Sequence, residues 1–190
     1  SFEDVWGKIT KPSLVTAPGY ICGIGETCTG STISDVVFTK DVFKKHWDSR
    51  HKAAHAEADY NRGTDLRGRG RISYAISHYK MAVKYRPDHA LTHNDLGLAL
   101  FSIKKIEEAI SHYKMAIKLN PDYALAHNNL GNALSAERKI EEAISHYKMA
   151  IKLNPDYALA HNNLGNALSA ERKIEEAISH YKMAIKLNPD

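Results

Sequence analysis

Apolar residues recur three and four positions apart through most of the last two thirds of the chain. Over residues 140–153 they are Ile140, Ala143, Ile144, Tyr147, Ala150 and Ile151, a spacing that gathers them on one face of an α-helix. Glu141, Glu142, Lys148 and Lys152 take the other face. Leu130, Ala133 and Leu134 show the same spacing just upstream and predict an earlier helix. Asn154-Pro155-Asp156 then breaks the chain, because Pro155 biases Asn154 away from the helical region and Asp156 can cap the helix that follows. Gly131 falls inside the earlier helix, where glycine costs about 1 kcal/mol relative to alanine. It predicts a close helix–helix contact at Gly131 and Ala143, with Leu134, Tyr147 and Ile151 filling the remaining space.

This pair of helices is a repeat. Residues 124–157 begin again letter for letter at Ala158 and run to Asp190, a period of 34 residues. Residues 90–123 are a close relative, and 56–89 a worn copy that keeps Gly63, Leu66, Ala75, Tyr79, Ala82 and Pro87 in register. A unit this short buries its apolar face only by stacking on its neighbours. Leu130, Gly131, Leu134, Ala143, Tyr147, Ala150 and Pro155 together resemble the tetratricopeptide repeat (TPR) family over residues 56–190. The resemblance implies an all-α fold, a right-handed α-solenoid of four helix-turn-helix units whose first helices (helix A) line a concave wall. Two departures stand out. The fourth position of the unit, often bulky and apolar in the family, is His93, His127 and His161, and the turn between helices A and B, often Gly, is Arg138 and Arg172, with Gly70 kept in the first unit. The wording of the repeats is also similar to that of the TPR array of O-linked N-acetylglucosamine transferases, without anything resembling their catalytic domain.

Upstream the pattern changes. Residues 1–37 hold Pro12, Pro18, five glycines and short β-prone runs, which predict an extended arm with one or two short strands. Cys22 and Cys28 both lie in this arm. Two cysteines in a glycine-rich loop predict a local Cys22–Cys28 disulfide, which would place the protein outside the cell or at its surface; two reduced thiols would suit the cytoplasm. Residues 38–55 predict a capping helix, with Thr39 at its start and Val42, Phe43, His46 and Trp47 on one face, packed on the first helix of the first unit. His46, His51 and His55 lack a clear fourth ligand, and neither a metal nor a cofactor is expected.

Charge narrows the partners. The net +4 of the 190-residue chain belongs to residues 1–89, since each later unit has equal numbers of acids and bases. Arg62, Arg67, Arg69 and Arg71 are read as a solvated helix end rather than a nucleic-acid patch, because no aromatic residues interleave them. No run of apolar residues is long enough to span a membrane. The chain starts at Ser1 without a signal-peptide pattern, so a removed leader or a trimmed start is expected. No nucleophile–base set, paired acids or phosphate loop appears outside positions that the repeat dictates, so an enzyme is not expected.

Two functions remain open. In the first, the protein is a structural subunit that associates head-to-tail into a superhelical filament. Ala177, Ile178, Tyr181 and Ile185 of the last helix supply the contact, since no polar capping helix follows. In the second, it is a monomeric adaptor binding an extended peptide on the concave wall. The resemblance places Asn61, Asn94, Asp95, Asn128, Asn129, Asn132, Asn162, Asn163 and Asn166 there. An asparagine ladder at Asn61, Asn129 and Asn163 could pair with a peptide backbone, because the amide both donates and accepts, and Asp95 interrupts it. The basic clamp for acidic chaperone tails found in some family members is excluded, because Leu91, Leu125, Leu159 and asparagines stand at its places. The natural protein could also continue with further identical units.

Overall fold

The computed structural model describes residues 40–188, with side chains from residue 48 onward. The arm, the Cys22 and Cys28 pair, and the expected apolar face of Val42, Phe43, His46 and Trp47 lie outside the described residues. Among the described residues the chain is entirely helical. The helices are α1 (Lys40–Gly68), α2 (Ile72–Tyr85), α3 (Ala90–Ser102), α4 (Ile106–Leu119), α5 (Ala124–Ala136), α6 (Ile140–Leu153), α7 (Ala158–Ala170) and α8 (Ile174–Leu187). None of them is long and apolar enough to cross a membrane.

Residues 55–190 form one compact unit, a TPR-like solenoid. The two helices of each later unit pack most extensively on each other, and the second also meets the first helix of the next unit. One core runs through the array. It takes Leu96 and Leu100 from α3, Leu130 and Leu134 from α5, Leu164 and Leu168 from α7, and Tyr79, Tyr113 and Tyr147 from the second helices.

The glycine in each first helix seats the tyrosine of the second. A Cβ on Gly131 would come within 2.5 Å of the Tyr147 ring, and Gly63, Gly97 and Gly165 stand in the same relation to Tyr79, Tyr113 and Tyr181. The close approach expected of Gly131 is thus to an aromatic face. The four tyrosines are not equivalent, however. Tyr79, Tyr113 and Tyr147 are buried, while Tyr181, on the last described helix, is half-buried.

Three local features differ from expectation. The capping helix and the first helix of the first unit are one helix, Lys40–Gly68, because no proline or glycine stands between Lys40 and Gly63 to break it. Residues 40–55 are therefore the first part of that helix. Asp156 does not cap α7, which has no side-chain cap. Its N–H instead donates to Asn154 Oδ1 at 3.2 Å, an Asx-turn that shapes the loop before the helix starts. At the A–B turn Lys104, Arg138 and Arg172 take a left-handed φ of 61–65°, as Gly70 does in the first unit at 72°. Lys139 N–H donates to Leu134 O and Arg138 N–H to Ser135 O, the paired bonds of a Schellman motif.

Candidate functional site: the asparagine and histidine seams

Leu125, Asn128, Asn129 and Asn132 are spaced i, i+3, i+4 and i+7 on α5, which puts them on one helix face. The structure divides that face in two. Asn94 and Asn128 are completely buried, and Asn129 and Asp95 nearly so. Asn129 Nδ2 donates to Asn94 Oδ1 of the preceding unit at 3.0 Å, and Asn163 Nδ2 donates to Asn128 Oδ1 at 2.9 Å. Asn163 also reaches Asn132 Oδ1 at 3.0 Å, which accepts from the Tyr147 hydroxyl at 2.8 Å. The third and fourth units thus donate backward to the unit before them, and these amides hold neighbouring units together.

Asp95 departs from that polarity. In the first unit Tyr60 occupies the place of Asn94 and Asn128. Its hydroxyl donates forward to Asp95 Oδ2 at 2.9 Å. Asn94 Nδ2 donates to the other carboxylate oxygen at 3.2 Å. Burial first, then the Asp95 charge, pushes the Tyr60 hydroxyl up to about 12, so it keeps its proton. Asn128 Nδ2 has no such carboxylate beside it and is buried without a partner.

Other positions on the wall stay open. Asn61, Asn162 and Asn166 are exposed, and Asn132 and Asn163 half-buried. Leu91, Leu125 and Leu159 are 38%, 40% and 51% exposed at one position of three successive units. On the last helix Ala177 is buried and Tyr181 half-buried, while Ile178 and Ile185 are 46% and 65% exposed.

The basic cluster is engaged locally. Arg69 pairs with Asp65 at 2.9 Å, Arg67 Nε donates to the Tyr79 hydroxyl at 3.3 Å, and Arg71 stacks over Tyr74 at 5.2 Å. Arg62 and Asp65 stand exposed on α1. At their places the later first helices bury Leu96, Leu130 and Leu164, and Ala99, Ala133 and Ala167.

A second seam escaped the sequence reading. His93 Nδ1 lies 3.1 Å from His112 Nδ1, His127 Nδ1 3.1 Å from His146 Nδ1, and His161 Nδ1 3.0 Å from His180 Nδ1. In the first unit the pair is His78 Nδ1 with Asp59 Oδ1 at 2.9 Å. The signal was present in the repeats: where the unit exchanges histidine for Asp59, the new residue still complements a histidine 19 positions on. No group of three or more metal-binding side chains occurs among the described residues.

This architecture is that of a repeat scaffold, and known families agree. The family model described as TPR repeat matches residues 97–137 and 136–171, and the model described as tetratricopeptide repeat matches residues 158–190. The chain therefore carries TPR repeats. No curated protein matches it. Among solved structures it resembles MamA, at 26% identity and a TM-score of 0.67 over 79% of this chain and 84% of that one. The first TPR of Spaghetti (RPAP3), bound to the HSP90 peptide SRMEEVD, matches at 28% identity and a TM-score of 0.59, over 67% of this chain and 95% of that one. YrrB, described as a TPR protein with an unusual peptide-binding site, shares the fold at 21% identity and a TM-score of 0.64, over 78% and 82%.

Proposed function

We propose that the array is a non-enzymatic adaptor that takes an extended peptide along the wall formed by α3, α5 and α7. The observation that carries this reading is the column of Leu91, Leu125 and Leu159. These leucines are exposed where core packing does not require it, and half-buried or exposed Asn132, Asn163 and Asn166 lie on the same helices. Such a wall has apolar contacts and neutral amides but no cation. It suits a peptide with apolar side chains meeting successive units and its backbone paired to amides, rather than an acidic tail. The peptide-bound Spaghetti structure supports this use of the fold.

The test is selection from a phage-displayed random peptide library. Enriched peptides should be rich in apolar residues and should lose at least tenfold in affinity for the variant carrying Leu125→Glu and Leu159→Glu. Both leucines are exposed, so the variant should keep its helical content. Failure to enrich any peptide, or unchanged affinity for the variant, would refute the adaptor reading.

Head-to-tail assembly through Ala177, Ile178, Tyr181 and Ile185 has half of what it needs. The open face of α8 offers Ile178 and Ile185. In the stacking register of the array the receiving face of α1 offers Arg62 and Asp65, where the later units bury leucine and alanine. Burying that pair against isoleucines would leave charge desolvated. The adaptor reading is therefore preferred to the filament.

A further inference from the structure

We propose that the three histidine pairs form a proton-sensitive seam, which joins the two helices of each later unit at neutral pH and costs the array stability under mild acid.

The geometry defines where every proton sits. His93, His127 and His161 each place Nε2 3.0–3.2 Å from a backbone carbonyl, that of Pro87, Pro121 and Pro155 respectively. A carbonyl only accepts, so Nε2 carries the proton and the neutral ring presents a bare Nδ1. The Nδ1–H of the partner histidine on the unit's second helix donates to it. Each first-helix ring is thereby bound on two sides, to the loop that closes the preceding unit and to the second helix of its own.

One further proton can be taken at Nε2 of the second-helix ring without breaking this contact. A second proton cannot, because two N–H groups would then face each other at about 3 Å, and one ring must leave. The first unit differs: a proton on His78 leaves its contact with the Asp59 carboxylate intact. Acid should accordingly loosen the three later units and spare the first.

The surroundings act in the same direction. Burial foremost, then His93 and Lys80, holds His112 down to about 4, with Glu108 opposing. Burial, His127 and Lys114 lower His146 against Glu142, and burial, His161 and Lys148 lower His180 against Glu176. Burial also lowers His127, against its bond to Pro121. A histidine whose value is depressed on folding binds more protons when unfolded, so stability falls as pH drops below the free value of 6.5 toward the folded one. For His112 the folding constant falls by up to roughly 30-fold between pH 7.5 and 5, and solvent screening of a half-buried ring brings that nearer to tenfold.

The test compares urea unfolding of the wild type with the variant carrying His112→Gln, His146→Gln and His180→Gln at pH 7.5 and 5.0. Glutamine can still donate to the first-helix ring but does not titrate. The wild type should lose at least tenfold more of its folding constant between the two pH values than the variant does. Equal losses would overturn the proposal. Should the variant not fold, imidazole nitrogen NMR of the wild type decides. The expected spectrum has His93, His127 and His161 protonated at Nε2, with their partners titrating below free histidine. Titration of all six rings at the free value would refute the seam.

Discussion

Tyr147 lies over Gly131 with its ring in the core and its hydroxyl donating to Asn132, which Asn163 of the next unit also reaches. A single side chain therefore serves both the packing within a unit and the polar contact between units. Removing the ring leaves a cavity facing a glycine that cannot fill it. Tyr147→Ala should cost about 3–5 kcal/mol, as Phe→Ala does in other cores, measured by urea unfolding. A loss below about 1 kcal/mol would mean that the ring contributes little. Tyr181→Ala should cost less, since that ring is only half-buried.

At the scale of elements, the A–B turns carry strain that the rest of each unit does not. Arg138 and Arg172 hold φ 61°, a conformation that costs an L-residue with a Cβ roughly 1–2 kcal/mol, and both side chains are exposed. Glycine is freed of that cost but loses more chain entropy on folding. Arg138→Gly together with Arg172→Gly should therefore raise stability by about 1 kcal/mol in total, seen as a higher urea midpoint at unchanged m-value. Gly70→Arg should act in the opposite direction. The long helix α1 follows a simpler rule: with no breaker before Gly63, the helical pattern of the first unit and that of the residues before it merge.

Considered whole, the described helices present two unlike outer faces. The upstream face of α1 is charged at Arg62 and Asp65, while the far face of α8 exposes Ile178 and Ile185. If those charges are what prevents stacking, Arg62→Leu with Asp65→Ala should make the protein associate. Sedimentation velocity at micromolar concentration should show a monomeric wild type and larger species for the variant. A monomeric variant would mean that apolar complementarity at the ends is not sufficient, and an associated wild type would favour the filament.

Periodicity was enough to establish the helices and the stacking. A 34-residue repeat of apolar positions has few ways to bury itself, so the core residues Leu130, Leu134, Ala143 and Tyr147 could be read directly from their spacing. The loops were less legible, because hydrogen bonding there is decided by a few degrees of backbone geometry, which is how Asn154 rather than Asp156 came to order the turn. Pairings between units were beyond the sequence. Asparagine can point to solvent, to a ligand or to a neighbour at similar cost until its surroundings are known. Only the packed array shows that Asn94 and Asn128 lie beneath the next unit, and that Asp95 accepts from the Tyr60 hydroxyl. The histidine pairs were decided in the same way. Nineteen residues separate their members, and only the hairpin brings the two Nδ1 atoms within reach of a shared proton.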